Sequence, residues 1–246
     1  MSLPAPVAYY KFDETSGNAN DSTANAYHLT ANNGPGTLSG ALNNARQNLV
    51  ENRYFSHADN ADLSMGARNY SISCWIKLAS TGGNQVYVGK GDNGFTNGEF
   101  FLGFLSGSGW AFSLLKSPAT QDFAAGGSGD TTNWHHVVGV LDFSNSQIKL
   151  YVDNSLISTQ SSSGSNDTTQ DFTVLKGGTL EANGNIDELA IFNAALTAGD
   201  VTELYNSGTP LAYPFSAGGP APAQGALVAT GKGVSLGLRI GMPDEA

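Results

Sequence analysis

The chain has 246 residues with a formal net charge of −10, and only 13% of its residues are charged. No cluster of Lys or Arg offsets this charge, which argues against a nucleic-acid partner because a polyphosphate backbone would be repelled. A single cysteine, Cys74, excludes an internal disulfide framework. No stretch approaches the roughly 18 consecutive apolar residues of a membrane span, so no membrane insertion is expected. The first twelve residues lack the basic and apolar regions of a signal peptide.

Short alternating apolar runs, separated by turn residues, fill most of the chain and predict β-strands. Two pairs of these runs flank short turns, at 106–109 and 143–146, and each pair predicts a hairpin. Many short strands with little helix indicate an all-β fold, an antiparallel sandwich of two sheets. Strands are predicted at 7–12, 54–56, 70–78, 85–90, 100–105, 110–115, 134–142, 147–152, 172–176 and 186–192.

One segment, 196–206, has the pattern of a short helix. Thr197 is the predicted N-cap, and Asp200, three residues later, can reach back as the acid of a capping box. Apolar side chains recur on one face, and Gly208 provides a natural end. We therefore expect this helix to dock on the sandwich.

The composition changes after residue 210, which divides the chain into a predicted sandwich, 1–210, and a predicted linker and extended arm, 211–246. Residues 214–225 are rich in Pro, Gly and Ala, which is typical of an extended linker. The segment that follows is too short to bury a core of its own, so we expect it to pair with the sandwich edge or with a neighbouring subunit. Its alternating apolar residues are Leu227, Val234, Leu236, Leu238 and Ile240.

Several blocks of the chain resemble laminin-G-like domains of the concanavalin A-like superfamily, in the expected order over residues 7–208. The blocks are YKFDETSG at 10–17, SISCWIK at 71–77, WHHV at 134–137, LYVD at 150–153 and the closing GNIDELAIFNAAL at 184–196. The resemblance implies a jelly-roll sandwich. One block of the family, with the pattern FDGxxDYV, appears here only as LVENRYF at 49–55, so residue roles in that loop do not carry over.

The resemblance also implies a structural Ca²⁺ ion, held between the loop after the first strand and the closing block. The matching oxygen donors are Asp21, Asn25 and Asp187, and loop carbonyls would complete the six to eight oxygen ligands that Ca²⁺ takes. The alternative is that Asp21 caps a turn and Asp187 accepts hydrogen bonds from backbone amides.

The sequence predicts no catalytic activity. Glycosidases of this superfamily carry their acids at alternate strand positions, so that both face one cleft. Here Asp187 and Glu188 are adjacent, which predicts that they point to opposite faces. A sugar-binding surface would instead use aromatic rings, and Trp110, close to a hairpin turn, is the predicted ligand-contacting residue.

Two classes of function fit these features, and we predict the first, with the second as the alternative. In the first, the chain is a structural or decorating subunit of a larger assembly, such as a virion or cell-surface particle, which contacts neighbouring subunits through its arm and exposes the sandwich for adhesion. In the second, it is a lectin-like, carbohydrate-binding module of a secreted protein, with glycans as partners. Both predict an extracellular or virion-surface location.

Overall fold

Two antiparallel β-sheets pack face to face in the computed structural model, which describes residues 3–91, 97–116 and 120–215. The predicted all-β, concanavalin A-like sandwich is therefore confirmed. The arm residues Leu227, Val234, Leu236, Leu238 and Ile240 lie outside the described residues. The strands are β1 Ala8–Tyr10, β2 Thr30–Asn32, β3 Gly36–Ser39, β4 Asn44–Asn48, β5 Tyr54–His57, β6 Tyr70–Leu78, β7 Gln85–Lys90, β8 Phe100–Leu105, β9 Gly109–Lys116, β10 Thr120–Gly126, β11 His135–Asp142, β12 Gln147–Val152, β13 Ser155–Ser161, β14 Phe172–Val174, β15 Lys176–Gly177, β16 Leu180–Glu181 and β17 Gly184–Phe192.

The first sheet has the strand order β13-β12-β11-β6-β17-β4-β3, and β1 also pairs with β17. The second sheet has the order β10-β9-β8-β7-β14-β5-β2, and β15 and β16 form a separate two-stranded ribbon. Both predicted hairpins are confirmed, as β8–β9 and β11–β12. Three short 3₁₀ helices lie at Ala61–Leu63, Phe143–Asn145 and Asn206–Gly208.

The central strands of the first sheet, β6 and β17, are buried along almost their whole length. Their inner faces contribute Ile72, Ile76 and Leu189 to the core between the sheets. Their outer faces are also covered, because the helix α1, Ala198–Tyr205, packs there through Val201 and Leu204. Both faces of these strands are therefore buried, and their outer faces include polar residues such as Ser71, Ser73 and Asp187 among the apolar ones.

The helix α1 begins as the sequence predicts, with Thr197 as its N-cap, but it ends at Tyr205, where Asn206 with a left-handed φ of 43° provides the C-cap in place of Gly208. The Oγ1 atom of Thr197 accepts a hydrogen bond from the N–H of Asp200 at 3.2 Å, and Oδ2 of Asp200 accepts one from the N–H of Thr197 at 2.8 Å. Asp200 thus completes a capping box in the place where Glu or Gln is usual. Within the described residues, no helix is long and apolar enough to cross a membrane.

Packing on the first sheet continues past residue 210, the predicted end of the sandwich. The ring of Tyr213 stacks on Tyr9 with centroids 4.5 Å apart. The ring of Phe215 meets Tyr9 edge-on at 5.4 Å and stacks on Phe192 at 6.4 Å. Together with Leu211 these rings extend the apolar cover that α1 begins. Residues 211–215 therefore pack with the sandwich, although the composition assigns them to the arm.

Candidate functional site

A cleft of about 490 Å³ opens at the end of the second sheet. This volume lies within the range of about 300–1,000 Å³ that is usual for small-ligand sites. Strands β5 and β14, the loop before β14, the β15 turn and the end of β7 supply its walls. The lining residues are Tyr54, Gly91, Thr169, Gln170, Asp171, Thr173, Lys176 and Gly178.

The wall of the cleft is set by β14, which lies between β7 and β5, with Thr173 paired to Gly89 on one side and to Ser56 on the other. The Thr173 hydroxyl donates to the carbonyl oxygen of Lys176 at 2.7 Å and lies 3.1 Å from that of Gly89. Leu175 has a left-handed φ of 68°, which turns the chain from β14 into β15. This turn brings Lys176 to the cleft.

A buried ion pair supports the loop that precedes β14. The Nζ atom of Lys90 lies 2.6 Å from Oε1 of Glu99 and 2.8 Å from Oδ1 of Asp59, and the side chains of Lys90 and Glu99 are both fully buried. Lys90 also donates to the carbonyl oxygen of Thr168 at 2.6 Å, while Glu99 accepts the Thr168 N–H at 2.9 Å. A buried charge is tolerated when it is paired and hydrogen-bonded in this way. The pair therefore fixes the backbone directly before Thr169.

The lining side chains combine one cation, one anion and several neutral polar groups. The Nζ atom of Lys176 lies 4.5 Å from the centroid of the Tyr54 ring and 3.8 Å from Oε1 of Glu181. Thr169 and Asp171 are exposed and Gln170 is half-buried. Within the described ranges, no hydrogen bond joins the side chains of these three residues to another residue. Their donors and acceptors are therefore available to a ligand.

Two of the predicted calcium ligands, Asp21 and Asn25, organise a loop. Each carboxylate oxygen of Asp21 accepts two hydrogen bonds, all at 2.9 Å, and Asn25 donates its side-chain amide to the carbonyl oxygen of Val7 at 2.8 Å. Asp21 thus caps a turn, which is the alternative that the sequence left open. The donors to Asp21 are the N–H groups of Tyr9, Thr23 and Tyr27 and the hydroxyl of Thr23.

The third predicted ligand, Asp187, is fully buried and accepts the N–H of Leu42 and the N–H of Glu188, both at 3.0 Å. In the part of the chain that the structure describes, no three His, Cys, Asp or Glu side chains are grouped so that they could hold a metal ion. Asp21, Asn25 and Asp187 in this arrangement do not fit a calcium site. A calcium ion held by Asp21 and Asp187 would require these loops to rearrange, because N–H donors occupy both carboxylates, and calcium binding stays a prediction that treatment with EDTA tests.

The expectation that Asp187 and Glu188 point to opposite faces is wrong, because a β-bulge interrupts strand alternation here. Asp187 pairs with Trp75 and Ala190 with Ser73, so two residues of β17 lie opposite one residue of β6, and Glu188 has a φ of 48°. Both carboxyl groups lie on the outer face of the first sheet. Trp75, opposite Asp187, stacks there on Tyr205 of α1 at 5.9 Å. A bulge redirects side chains in a way that a period of two does not predict.

On this outer face, Glu188 accepts a hydrogen bond from the hydroxyl of Tyr9. Burial raises the pKa of Glu188 to about 7 and raises the pKa of Asp187 above its ordinary value. The cavity beside Glu188 has a volume of about 10 Å³, which is room for one water molecule. The two acids are therefore closed to a substrate.

Trp110 requires a correction, because the structure places its side chain in the core with no exposed surface. The indole meets Phe104 edge-on at 5.4 Å and lies 5.4 Å from the ring of His135. Neither face of the ring is open to a sugar, so Trp110 does not have the predicted ligand-contacting position. The cleft residues whose side chains are available to a ligand, Thr169, Gln170 and Asp171, lie in a polar loop that carries no distinctive sequence signal.

The two-sheet sandwich and its outer helix define the class of the protein as a concanavalin A-like β-sandwich. A family model of the concanavalin A-like lectin/glucanases superfamily matches residues 50–202, more than half of the chain. The chain belongs to this family. Comparison with curated protein sequences gives no match.

Three solved structures illustrate the similarity of fold. Domain 4 of AbnA, an extracellular arabinanase from Geobacillus stearothermophilus solved in complex with arabinotriose, has a TM-score of 0.63 at 21% identity and covers 83% of this chain and 99% of that domain. The binding domain of Paraclostridial Mosquitocidal Protein 1 has a TM-score of 0.64 at 17% identity, over 84% of this chain and 51% of that one. The botulinum neurotoxin serotype D binding domain has a TM-score of 0.66 at 15% identity, and the match covers 84% of this chain and 55% of that one.

At these identities the three structures show a shared fold. The chain spans about half the length of the two toxin binding domains, and it matches nearly the whole of the arabinanase domain.

Proposed function

We propose that the chain is a non-catalytic, lectin-like module that binds carbohydrate in the cleft of the second sheet. The observation that carries this proposal is the cleft itself, in which Thr169, Gln170 and Asp171 present uncommitted polar groups from a loop held by the Lys90–Glu99 pair. Sugar hydroxyls both donate and accept hydrogen bonds, and a mixed set of hydroxyl, amide and carboxylate groups satisfies both needs.

The structural neighbours support this choice between the two classes of function. The arabinanase domain was solved with a bound oligosaccharide, arabinotriose, and this chain has nearly the same extent as that domain. Two further structures of the same fold point the same way: a botulinum neurotoxin DC binding domain was solved in complex with SialylT, and cell entry of botulinum neurotoxin type C depends on interaction with two ganglioside molecules. A glycan partner and an extracellular or cell-surface location follow from the same proposal.

The arrangement of acids supports a binding role. Glycosidases flank the scissile bond with two carboxyl groups, whereas Asp171 is the one carboxylate among the described lining residues of the cleft. The two neighbouring acids Asp187 and Glu188 lie outside the cleft and are buried beneath residues of α1 and of the segment 211–215.

The assembly-subunit hypothesis gains no comparable support. Its predicted contact, the arm from Leu227 to Ile240, lies outside the described residues, and the three structures compared above are binding domains. A role of the arm in subunit contacts stays a prediction, which the truncations described in the Discussion test.

A glycan array followed by calorimetry with arabinotriose tests the proposal. We expect the intact chain to bind at least one oligosaccharide, and we expect the double substitution Gln170→Ala/Asp171→Ala to weaken that binding at least about tenfold, because several ligand hydrogen bonds are lost.

The matched control is Gln160→Ala/Asp167→Ala, which removes the same residue types at exposed positions outside the cleft. Equal loss of binding in the control would point to a general effect of charge or stability. Unchanged binding in the cleft variant would show that the site lies elsewhere.

A further inference from the structure

The charges around the cleft indicate which class of glycan it accepts. We propose that the cleft selects neutral oligosaccharides over glycans that carry a carboxylate, such as those that end in sialic acid. This inference rests on the proposed function and adds the chemical class of the ligand.

The one cation that lines the described cleft, Lys176, is already partly neutralised. Its ammonium lies 3.8 Å from the carboxylate of Glu181 and 4.5 Å from the centroid of the Tyr54 ring. Glu181 is itself held in place, because its other oxygen accepts the N–H of Asn52 at 2.6 Å. A ligand carboxylate that approached Lys176 would have to compete with Glu181 for the same charge.

A second negative charge lies within the cleft. Asp171 is exposed there, so the described lining residues carry one formal positive charge, on Lys176, and one negative charge, on Asp171, and the partner of Lys176, Glu181, adds a second negative charge. Like charges at close range disfavour binding. The net charge of −10 over the chain acts in the same direction at longer range.

The described lining residues also lack the group that best recognises a carboxylate. Arg binds carboxylates through two parallel hydrogen bonds, and no Arg lines the described part of the cleft. Gln170, Thr169 and Asp171 offer instead an amide, a hydroxyl and an acceptor-only carboxylate. This set matches adjacent sugar hydroxyls, which can donate to Asp171 and accept from Gln170.

The test compares each neutral glycan with its sialylated form on one array, with lactose against 3′-sialyllactose as the first pair and arabinotriose as a further neutral probe. We expect neutral probes to bind at least about tenfold more tightly, a difference set by the unfavourable charge contacts. Asp171→Asn should reduce that ratio, since it removes a negative charge and keeps a polar group of the same shape. Asp167→Asn, an exposed acid outside the cleft, should leave the ratio unchanged.

Failure of this inference and failure of the proposed function give different results. Tighter binding of the sialylated probes that is still lost in Gln170→Ala/Asp171→Ala would overturn the preference for neutral glycans and would keep the cleft as the site. Binding of no probe, or binding that the cleft variant does not change, would contradict the proposed function and with it this inference.

Discussion

The outer faces of the two sheets differ in how they are covered. On the first sheet, α1 and residues 211–215 close an apolar layer over Tyr9, Phe192 and Trp75. On the second sheet, the end near β14 stays open as a polar cleft. The closed face shifts the pKa values of the groups that it buries, while the open face leaves its side chains free to meet a ligand.

The closed face buries polar groups at a cost that its contacts offset. Burial lowers the pKa of His136 to about 4 and raises that of Glu188 to about 7, and both residues have partners on this face, Ser73 and Tyr9. Beneath the open cleft, the ion pair between Lys90 and Glu99 offsets the cost of burying two charged side chains. Stability is therefore expected to depend on burial at one face and on one ion pair at the other.

The largest effect is expected beneath the cleft. Glu99→Ala should lower the free energy of unfolding by about 3 kcal/mol, the lower end of the range for breaking a buried pair, because the buried Lys90 keeps only the partly exposed Asp59 as a carboxylate partner. Urea denaturation measures the loss. Hydrogen exchange should show faster exchange in residues 168–171, since Glu99 accepts the N–H of Thr168.

The control for this change is Asp122→Ala, which removes a partly exposed ion pair with Lys116. Such pairs contribute about 0–1 kcal/mol. A loss below 1 kcal/mol for Glu99→Ala would mean that the buried pair does not hold the cleft wall.

On the closed face, Glu188 should make stability fall as the pH rises. Its folded-state pKa of about 7 is above the ordinary value of 4.5, so its contribution is fully present below pH 4.5 and is lost as the pH rises through 7. This loss amounts to about 3 kcal/mol. Glu188→Gln keeps a neutral partner for Tyr9, and this variant should not show the loss of stability with rising pH.

Urea denaturation of both proteins at pH 4.5, 6 and 8 isolates this contribution as the change in their difference. We expect the free energy of unfolding of the variant to rise relative to that of the parent protein between pH 4.5 and pH 8. A difference that is constant over this range would show that the Glu188 carboxyl is not buried in its neutral form.

Two truncations compare the cover of the closed face with the rest of the C-terminal segment. Ending the chain at residue 210 removes Leu211, Tyr213 and Phe215 and should lower the free energy of unfolding by about 2–3 kcal/mol, because three half-buried apolar side chains are lost. Ending it at residue 215 should leave the stability of the sandwich unchanged. Equal stability of the two truncations would show that these rings do not contribute.

Light scattering on the same proteins tests the arm. A multimer of the full chain that becomes a monomer at 1–215 would support the assembly role of Leu227 to Ile240. The same number of subunits in both forms would argue against that role and leave the glycan-binding proposal unaffected.

The smallest effect is expected from removal of metal ions. Because N–H donors already occupy the carboxylates of Asp21 and Asp187, EDTA should change the Tm by less than about 1 °C, the shift expected when no stabilising ion is lost. A rise in Tm with added Ca²⁺, abolished by Asp187→Asn, would show that the loops rearrange into the calcium site that the family resemblance implies.

The sequence by itself determined the all-β class, both hairpins and the capped helix. These features depend on local patterns, such as the alternation in Tyr70–Leu78 or the spacing of Thr197 and Asp200, and local patterns are encoded within a few residues. The ordered family blocks fixed the order of the elements and therefore the type of sandwich.

Only the tertiary structure decided where the candidate cleft lies. Tyr54, Asp171 and Lys176 meet because β14 pairs between β5 and β7, and such pairing between distant segments leaves no signal in any one of them. The same limit explains the burial of Trp110 and the bulge at Glu188. One extra residue in a strand changes the face that a side chain occupies, and that extra residue is defined by the partner strand.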